Sequence, residues 1–169
     1  MKKMIKNKFI ELPIATRDGI FIAHYSEKGL AGLDFPKVGR ASSRAVSAKQ
    51  IPLQILRWHK ITTDALKTIL TGGEPKKFPP LDLAGTEFQK SVWNALRKIS
   101  TGKTKSYGEI AAVIGKPKAV RAVGGACGAN PVPVLVPCHR VLAANKKLGG
   151  FSGGLDWKRS LLKREGIKF

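Results

Sequence analysis

Acidic residues are scarce in this 169-residue sequence: 11 Asp and Glu stand against 31 Lys and Arg, a formal net charge of +20. The imbalance runs along the whole chain, with 15 basic against 6 acidic residues in 1–80 and 16 against 5 in 81–169. A surface this basic draws polyanions, so DNA, RNA and anionic membranes are the first partners to consider. Long apolar runs are missing, and none approaches the roughly 20 residues that cross a bilayer. No membrane insertion is expected. The basic start MKKMIKNKFIELP is interrupted by Asn7, Lys8 and Glu11 and is followed by no small-residue cleavage site, so no export signal is expected either. Cysteine is nearly absent. Cys127 and Cys138, with no CxxC pair or clustered histidine, exclude a disulfide framework and suit a reducing compartment. Apolar residues are not lacking: at 43% they suffice for a core, which excludes disorder as the main state.

Residues 8 to 35 alternate as short strands do: FIELPIAT, a turn signal at Asp18-Gly19, IFIAHYS, then Gly29 to Leu33. The pattern predicts a small antiparallel meander. Residues 36 to 50 are polar and basic without periodicity. Leu53, Leu56, Ile61, Leu66, Ile69 and Leu70 then form a helical stripe ending near Gly72-Gly73. The Pro- and Gly-rich stretch 72 to 85 reads as a linker, dividing an N-terminal lobe, 1–80, from a C-terminal one, 81–169.

The second lobe opens on a capping box, Thr86 with Gln89, followed by Phe88, Val92, Leu96 and Ile99 at helical spacing. SYGEIAAVIG, the break Lys116-Pro117-Lys118 and AVRAVGGACGA then make a helix-turn-helix candidate. Val120, Val123 and Cys127 form the apolar stripe of its second helix. Arg121, Gly125 and Gly128 lie on the opposite face, flanked by Ala122, Ala126 and Ala129. A reader of base edges offers Asn, Gln, Arg or Lys along such a face. This one offers backbone and a single arginine, which points to sequence-tolerant binding through the minor groove with Arg121 inserted. The alternative is that Arg121 is merely solvated and the glycines serve helix packing.

After Asn130-Pro131-Val132-Pro133, the run Val134-Leu135-Val136 reads as a short buried strand that delivers Pro137-Cys138-His139-Arg140-Val141. A nucleophilic cysteine acts as its thiolate, which a neighbouring imidazole or cation favours. Cys127 reads as core packing, while Cys138 sits beside the one histidine of the second lobe. In an extended chain adjacent side chains point to opposite sides, so His139 is expected to reach the sulfur through a water unless the backbone turns. His24 and His59 read as ordinary residues of the first lobe. The end of the chain combines a loop, Gly149 to Gly154, with a helix carrying Trp157, Leu161 and Leu162 inward and capped by Gly166. Glu165 lies where the helix dipole disfavours a carboxylate. It either pairs with Lys163 and Arg164 in solvent or orients a cation such as His139.

These residues carry a resemblance. RAVGGA, the run NPVPVLVPCHRV, GGFSGGL and the Arg-Glu-Gly ending, spread over roughly residues 85 to 167, resemble the O6-alkylguanine-DNA alkyltransferases, or methylated-DNA-protein-cysteine methyltransferases. The resemblance implies an α+β protein. Its first lobe would be ribonuclease H-like, with a small antiparallel sheet, and its mostly helical second lobe would carry a helix-turn-helix of the winged-helix type. It further implies a monomer that needs no cofactor and acts on double-stranded DNA carrying O6-alkylguanine, through the minor groove and largely without regard to sequence. Cys138 would take the alkyl group, irreversibly and once, from O6 of a flipped guanine, with O4 of thymine as a second substrate to test.

By the same resemblance His139 is the base through a water and Glu165 its orienter. Tyr107 is a proton donor toward guanine N3, and Asn130 braces the turn between the recognition helix and the active site. Arg121, Ala122, Gly125, Ala126 and Tyr107 face DNA. Val141 (through its carbonyl), Pro133, Gly149, Phe151, Ser152 and Gly153 form the substrate pocket. Many members have tyrosine where this chain has Phe151, which removes a hydroxyl from that pocket. Some carry a zinc in the first lobe, and none is expected here because no cysteine precedes residue 127. The implied location is the cytoplasm and nucleoid of a prokaryote, or a eukaryotic nucleus. The rival readings are a non-catalytic helix-turn-helix regulator, a damage-recognition relative that lacks the acceptor cysteine, and a Cys-His hydrolase. The bare helix face and Cys138 argue against the first, the presence of Cys138 against the second, and the adjacency of Cys138 and His139 in sequence against the third.

Overall fold

Three strands and one long helix build the first part of the computed structural model, which describes residues 9–37 and 51–169. The basic start and most of the polar stretch 36 to 50 lie outside the described residues. Strands β1 (Ile10–Thr16), β2 (Gly19–Tyr25) and β3 (Leu30–Asp34) form an antiparallel sheet in chain order. The register pairs Ile14 with Phe21 and Ala23 with Leu33. Alternation puts Leu12, Ile14, Phe21, Ala23 and Tyr25 on the buried face, as the period of a half-buried strand requires. Helix α1 (Leu53–Leu70) starts after Pro52 and buries Ile55, Thr62, Ala65, Leu66, Ile69 and Leu70. Leu53 and Leu56, expected on that stripe, are 65% and 38% exposed. The helix dips into the core only from Ile55 onward, so its first turn stays in solvent.

The stretch from Thr71 to Thr86 carries no helix and is tied to the sheet where Leu81 bridges to Leu30. Helix α2 (Glu87–Leu96) then begins at the expected capping box: Thr86 accepts from the Gln89 amide and Gln89 accepts from the Thr86 amide. Strand β4 (Lys105–Ser106) leads into α3 (Tyr107–Val113), opened by a second box, Ser106 with Glu109. Helix α4 (Val120–Gly128) follows the Lys-Pro-Lys break. Trp93 of α2 is buried and donates from Nε1 to the Ala126 carbonyl at 2.8 Å, which locks α2 against α4. Fully buried side chains such as Phe21, Leu66 and Leu96 each stabilise the fold by about 1.5–3 kcal/mol.

Two further expectations fail for physical reasons. Val120 is 42% exposed, because it is the first residue of α4 and protrudes beyond the neighbours that cover Val123 and Cys127. Val134-Leu135-Val136 is buried but is no strand. Val134 takes a left-handed φ of 74°, the Val136 amide donates to the Val132 carbonyl, and the segment folds into a tight turn bridged between Pro133 and Val136. Burial of a continuous apolar run was legible; its backbone conformation was not, since periodicity cannot tell a buried turn from a buried strand. The turn feeds a single 3-10 turn, Cys138–Arg140, and strand β5 (Val141–Leu142). β5 pairs in parallel with β4, Lys105 opposite Val141. Helix α5 (Leu155–Arg164) closes the chain, with Gly166 in the left-handed conformation just beyond it. No helix among the described residues is long and apolar enough to cross a membrane.

Candidate active site

Cys138 lies at the start of the 3-10 turn, 3% exposed. Asn130, buried at the end of α4's connection, holds it from the side. The Asn130 side chain accepts from the Val132 amide at 3.1 Å and donates from Nδ2 to the Val136 carbonyl at 2.8 Å and to Cys138 Sγ at 3.2 Å. One amide thus pins the tight turn and supplies a donor to the sulfur. Burial raises the Cys138 thiol above its ordinary pKa, while the Asn130 hydrogen bond and the charge of Lys158 act in the opposite direction. Cys127 lacks such a donor, and burial pushes it up to about 12, which keeps it an inert thiol on the core stripe.

The 3-10 turn changes the relation of His139 to its neighbours from that of an extended chain. The imidazole is fully buried and its Nε2 donates to Glu165 Oε1 at 2.9 Å. A carboxylate only accepts, so Nε2 carries the proton and Nδ1 the lone pair of neutral imidazole. Nδ1 is buried and has no hydrogen-bond partner among the described residues. Burial lowers the His139 pKa, the Glu165 hydrogen bond and charge only partly opposing it, so the ring stays neutral and Nδ1 is free to accept a proton.

Glu165 follows the last residue of α5 and turns inward, not toward Lys163. Burial opposes its ionisation, but hydrogen bonds from His139 and Arg140 and the charge of Arg140 outweigh that and hold it at about 2. Arg140 donates to both of its carboxylate oxygens at 3.0–3.2 Å, to the Ile99 carbonyl at 2.6 Å and to Thr101 Oγ1 at 2.8 Å. The Gly102 amide adds a contact at 3.2 Å. These donors offset the unfavourable end of the helix dipole. Arg164 is engaged elsewhere, paired with Asp18 at 2.7 Å. Sequence reading missed Arg140, although it stands in the same PCHRV run.

Lys158 was missed as well. Its side chain is buried, and Nζ donates to the Val141 carbonyl at 2.7 Å and the Gly150 carbonyl at 3.2 Å. The Val141 carbonyl expected to face a substrate is therefore already engaged by Lys158, which ties the strand leaving the cysteine to the loop 149–154. The available signal was a lysine on the same helical stripe as Leu161 and Leu162 in α5.

Tyr107, the first residue of α3, is half-buried. Burial and then the neighbouring thiols raise its pKa, which keeps the phenol protonated. Gly149, with a φ of 66°, backs onto that phenol: a Cβ there would lie 2.9 Å from the Tyr107 hydroxyl. Phe151 stands edge-on to His139, centroids 6.5 Å apart. Ser152 is exposed and Gly153 half-buried on the same loop, whereas Pro133 is buried in the turn before the cysteine.

On α4, Arg121, Ala122 and Gly125 are exposed together, and a Cβ at Gly125 or Gly128 would meet nothing within 4 Å. No packing among the described residues requires those glycines. Ala126, expected on this face, is 3% exposed and lies under Trp93, because a residue five positions from Arg121 has rotated round toward α2. Among the described residues no group of three or more His, Cys, Asp or Glu is arranged to hold a metal ion.

Comparison with known proteins gives concordant matches. Residues 87–167 fit the family model described as 6-O-methylguanine DNA methyltransferase, DNA binding domain. The methylated-DNA–protein-cysteine methyltransferase of Methanosarcina acetivorans is 60% identical over 95 residues, 56% of this chain and 61% of that protein. The chain thus spans about three-fifths of that relative's length. The protein of the same name from Methanosarcina barkeri is 42% identical over 160 residues, 92% of this chain and 94% of that one. Among solved structures, Mycobacterium tuberculosis OGT in complex with DNA superposes with a TM-score of 0.72 at 38% identity, covering 90% of each chain.

Proposed function

The chain belongs to the methylated-DNA–protein-cysteine methyltransferase family, and from that premise we propose that it repairs duplex DNA by moving an alkyl group from O6 of guanine onto its own Cys138. The observation that carries this reading is the buried chain Asn130–Cys138–His139–Glu165. It combines a sulfur with a donor aimed at it, a neutral imidazole with a free nitrogen, and a carboxylate that fixes the tautomer. This is the base-and-orienter arrangement of activated nucleophiles.

Each side chain then has a task. The Cys138 proton passes to His139 Nδ1 through a water. The thiolate attacks the alkyl carbon, a carbon–sulfur bond forms and the carbon–O6 bond breaks. Guanine leaves with a proton from the Tyr107 phenol at N3, and the proton held by His139 makes good the one Tyr107 gave. No further reactant is required, and the thioether is not turned over. O6 is inaccessible inside a base stack, so the guanine must be flipped out. The bare face of α4 suits close approach to a minor groove, with Arg121 filling the gap and Ala122 and Gly125 beside the backbone. Phe151, Ser152 and the loop from Gly149 wall the pocket from the other side.

The finer fold description, a ribonuclease H-like lobe over 1–80 and a winged-helix lobe over 81–169, forms part of this reading, as do action as a monomer and a place of work on the chromosome. Single turnover makes a direct test. With a duplex holding one O6-methylguanine, the lesion should disappear in proportion to protein and stop at one equivalent. Loss of lesion far beyond one equivalent, or none at all, contradicts the proposal.

Acid sensitivity follows from the site. The base must be neutral imidazole, and burial sets His139 below its ordinary value of 6.5. Transfer is therefore lost only as pH falls through that lowered value. Rapid-quench rates between pH 8 and 5 should show no half-maximal fall at pH 6.5; an inflection at or above 6.5 would contradict a buried neutral base.

A further inference from the structure

The alkyl-transfer reading gives the first part of the chain no chemistry, yet its third strand runs directly behind the site. The Leu33 amide of β3 donates to the Pro131 carbonyl at 2.9 Å, next to the Asn130 that holds the sulfur. Two residues on, Phe35 enters a cluster of rings drawn from both halves of the chain. Its centroid is 5.6 Å from Phe21, 5.0 Å from Trp157 of α5 and 5.7 Å from Phe151, the last nearly perpendicular. Phe151 in turn stands edge-on to His139. Phe151 is thus held between the base of the proposed reaction and a ring from the other lobe.

Gly153 gives an independent reading of the same contact. Its φ lies outside the left-handed region, so its backbone conformation does not call for glycine. What calls for it is Phe35: a Cβ at 153 would lie 2.5–2.8 Å from three atoms of that ring, and no other neighbour comes as near. The loop passes this close to Phe35 only because residue 153 has no side chain.

Resting on the alkyl-transfer reading, we infer that Phe35 is a positioning residue that sets which O6 substituents the pocket accepts, by fixing how far Phe151 and the loop 149–154 stand from Cys138 and His139. Phe35 touches no reacting atom. It acts through Phe151, and the ring contacts with Phe21 and Trp157 keep it from yielding. Truncating it lets the loop retreat toward the sheet and widens the pocket. A methyl at residue 153 pushes the loop off Phe35 and toward His139, which narrows it.

The test compares single-turnover transfer from duplexes bearing O6-methylguanine and O6-benzylguanine. Phe35→Ala should raise the benzyl-to-methyl rate ratio by about three- to tenfold, the scale of one aromatic contact. Gly153→Ala should lower the ratio, and the double variant F35A/G153A should return toward wild type because the new methyl occupies the space the ring has left. Phe35→Leu, which keeps bulk without the flat ring, serves if the alanine variant does not fold. A ratio unchanged in every folded variant, or a double variant that simply adds the two defects, overturns the inference. If wild-type protein leaves O6-methylguanine untouched, it is the transfer reading that fails.

Discussion

Alanine at position 138 should abolish transfer completely while leaving DNA affinity within about twofold of wild type, a difference under about 0.5 kcal/mol. The sulfur is the acceptor, so no residual rate is expected from the rest of the site. It is also 3% exposed and contributes nothing to the exposed face of α4, so binding has no need of it. The fold should survive, since Asn130 keeps its bonds to the Val136 carbonyl and the Val132 amide when the sulfur is gone. A cost of about 1 kcal/mol is expected from one lost hydrogen bond. Cys127→Ala is the natural control. That thiol is held near 12 and packs in the core, so its loss should cost about 1 kcal/mol of stability and no transfer. A transfer assay beside fluorescence anisotropy on a short duplex separates the two variants. Transfer retained in Cys138→Ala, or lost in Cys127→Ala with the fold intact, would reassign the acceptor.

Glu165→Gln should damage both stability and transfer, because this one carboxylate serves two partners. Arg140 is 4% exposed and its guanidinium depends on Glu165 for countercharge. Removing one member of a buried pair costs about 3–5 kcal/mol. A carboxylate can only accept, whereas the Gln amide can also donate to Nε2, so the proton of His139 is no longer fixed there and transfer should fall by about 100-fold or more, the contribution of a positioned base. The stability loss carries a pH signature. Glu165 is held at about 2 against an ordinary 4.5. A depressed carboxyl contributes stability that is fully present above the unfolded value and lost as pH falls through the folded one. The gap between wild type and Glu165→Gln, read by urea denaturation, should therefore be full at pH 7 and narrow progressively below about pH 4.5. An equal gap at pH 7 and pH 3 would show that the charge is not what stabilises.

Much of this was legible in the chain because local signals and global packing agree. Asp18-Gly19 between alternating residues, the Thr86–Gln89 box and the Lys116-Pro117-Lys118 break each specify a boundary through chemistry within a few residues. What failed depended on neighbours distant in sequence. Leu53, Leu56 and Val120 fit helical stripes but sit at helix starts, beyond the elements that would cover them. Ala126 is drawn away from the exposed side of α4 by Trp93, 33 residues earlier. Val134 adopts a left-handed turn that an apolar run does not announce. In the site, Cys138, His139 and Asn130 were readable from one short run. Glu165's choice between solvent and His139 was settled by Arg140 and the Gly102 amide, which no spacing rule brings to it. Lys158, Arg140 and Phe35 went unread for the same reason: each acts through contacts that only the packed fold brings together, within the second lobe for Lys158 and Arg140 and between the lobes for Phe35.

The most direct measurement is the intact mass of the protein after mixing with a duplex that contains a single O6-methylguanine, followed by peptide mapping. A gain of one methyl group per chain is expected, confined to the peptide that carries Cys138, with guanine restored in the DNA. An unchanged mass despite tight binding to the lesion, or a methyl group on any other residue, would contradict it.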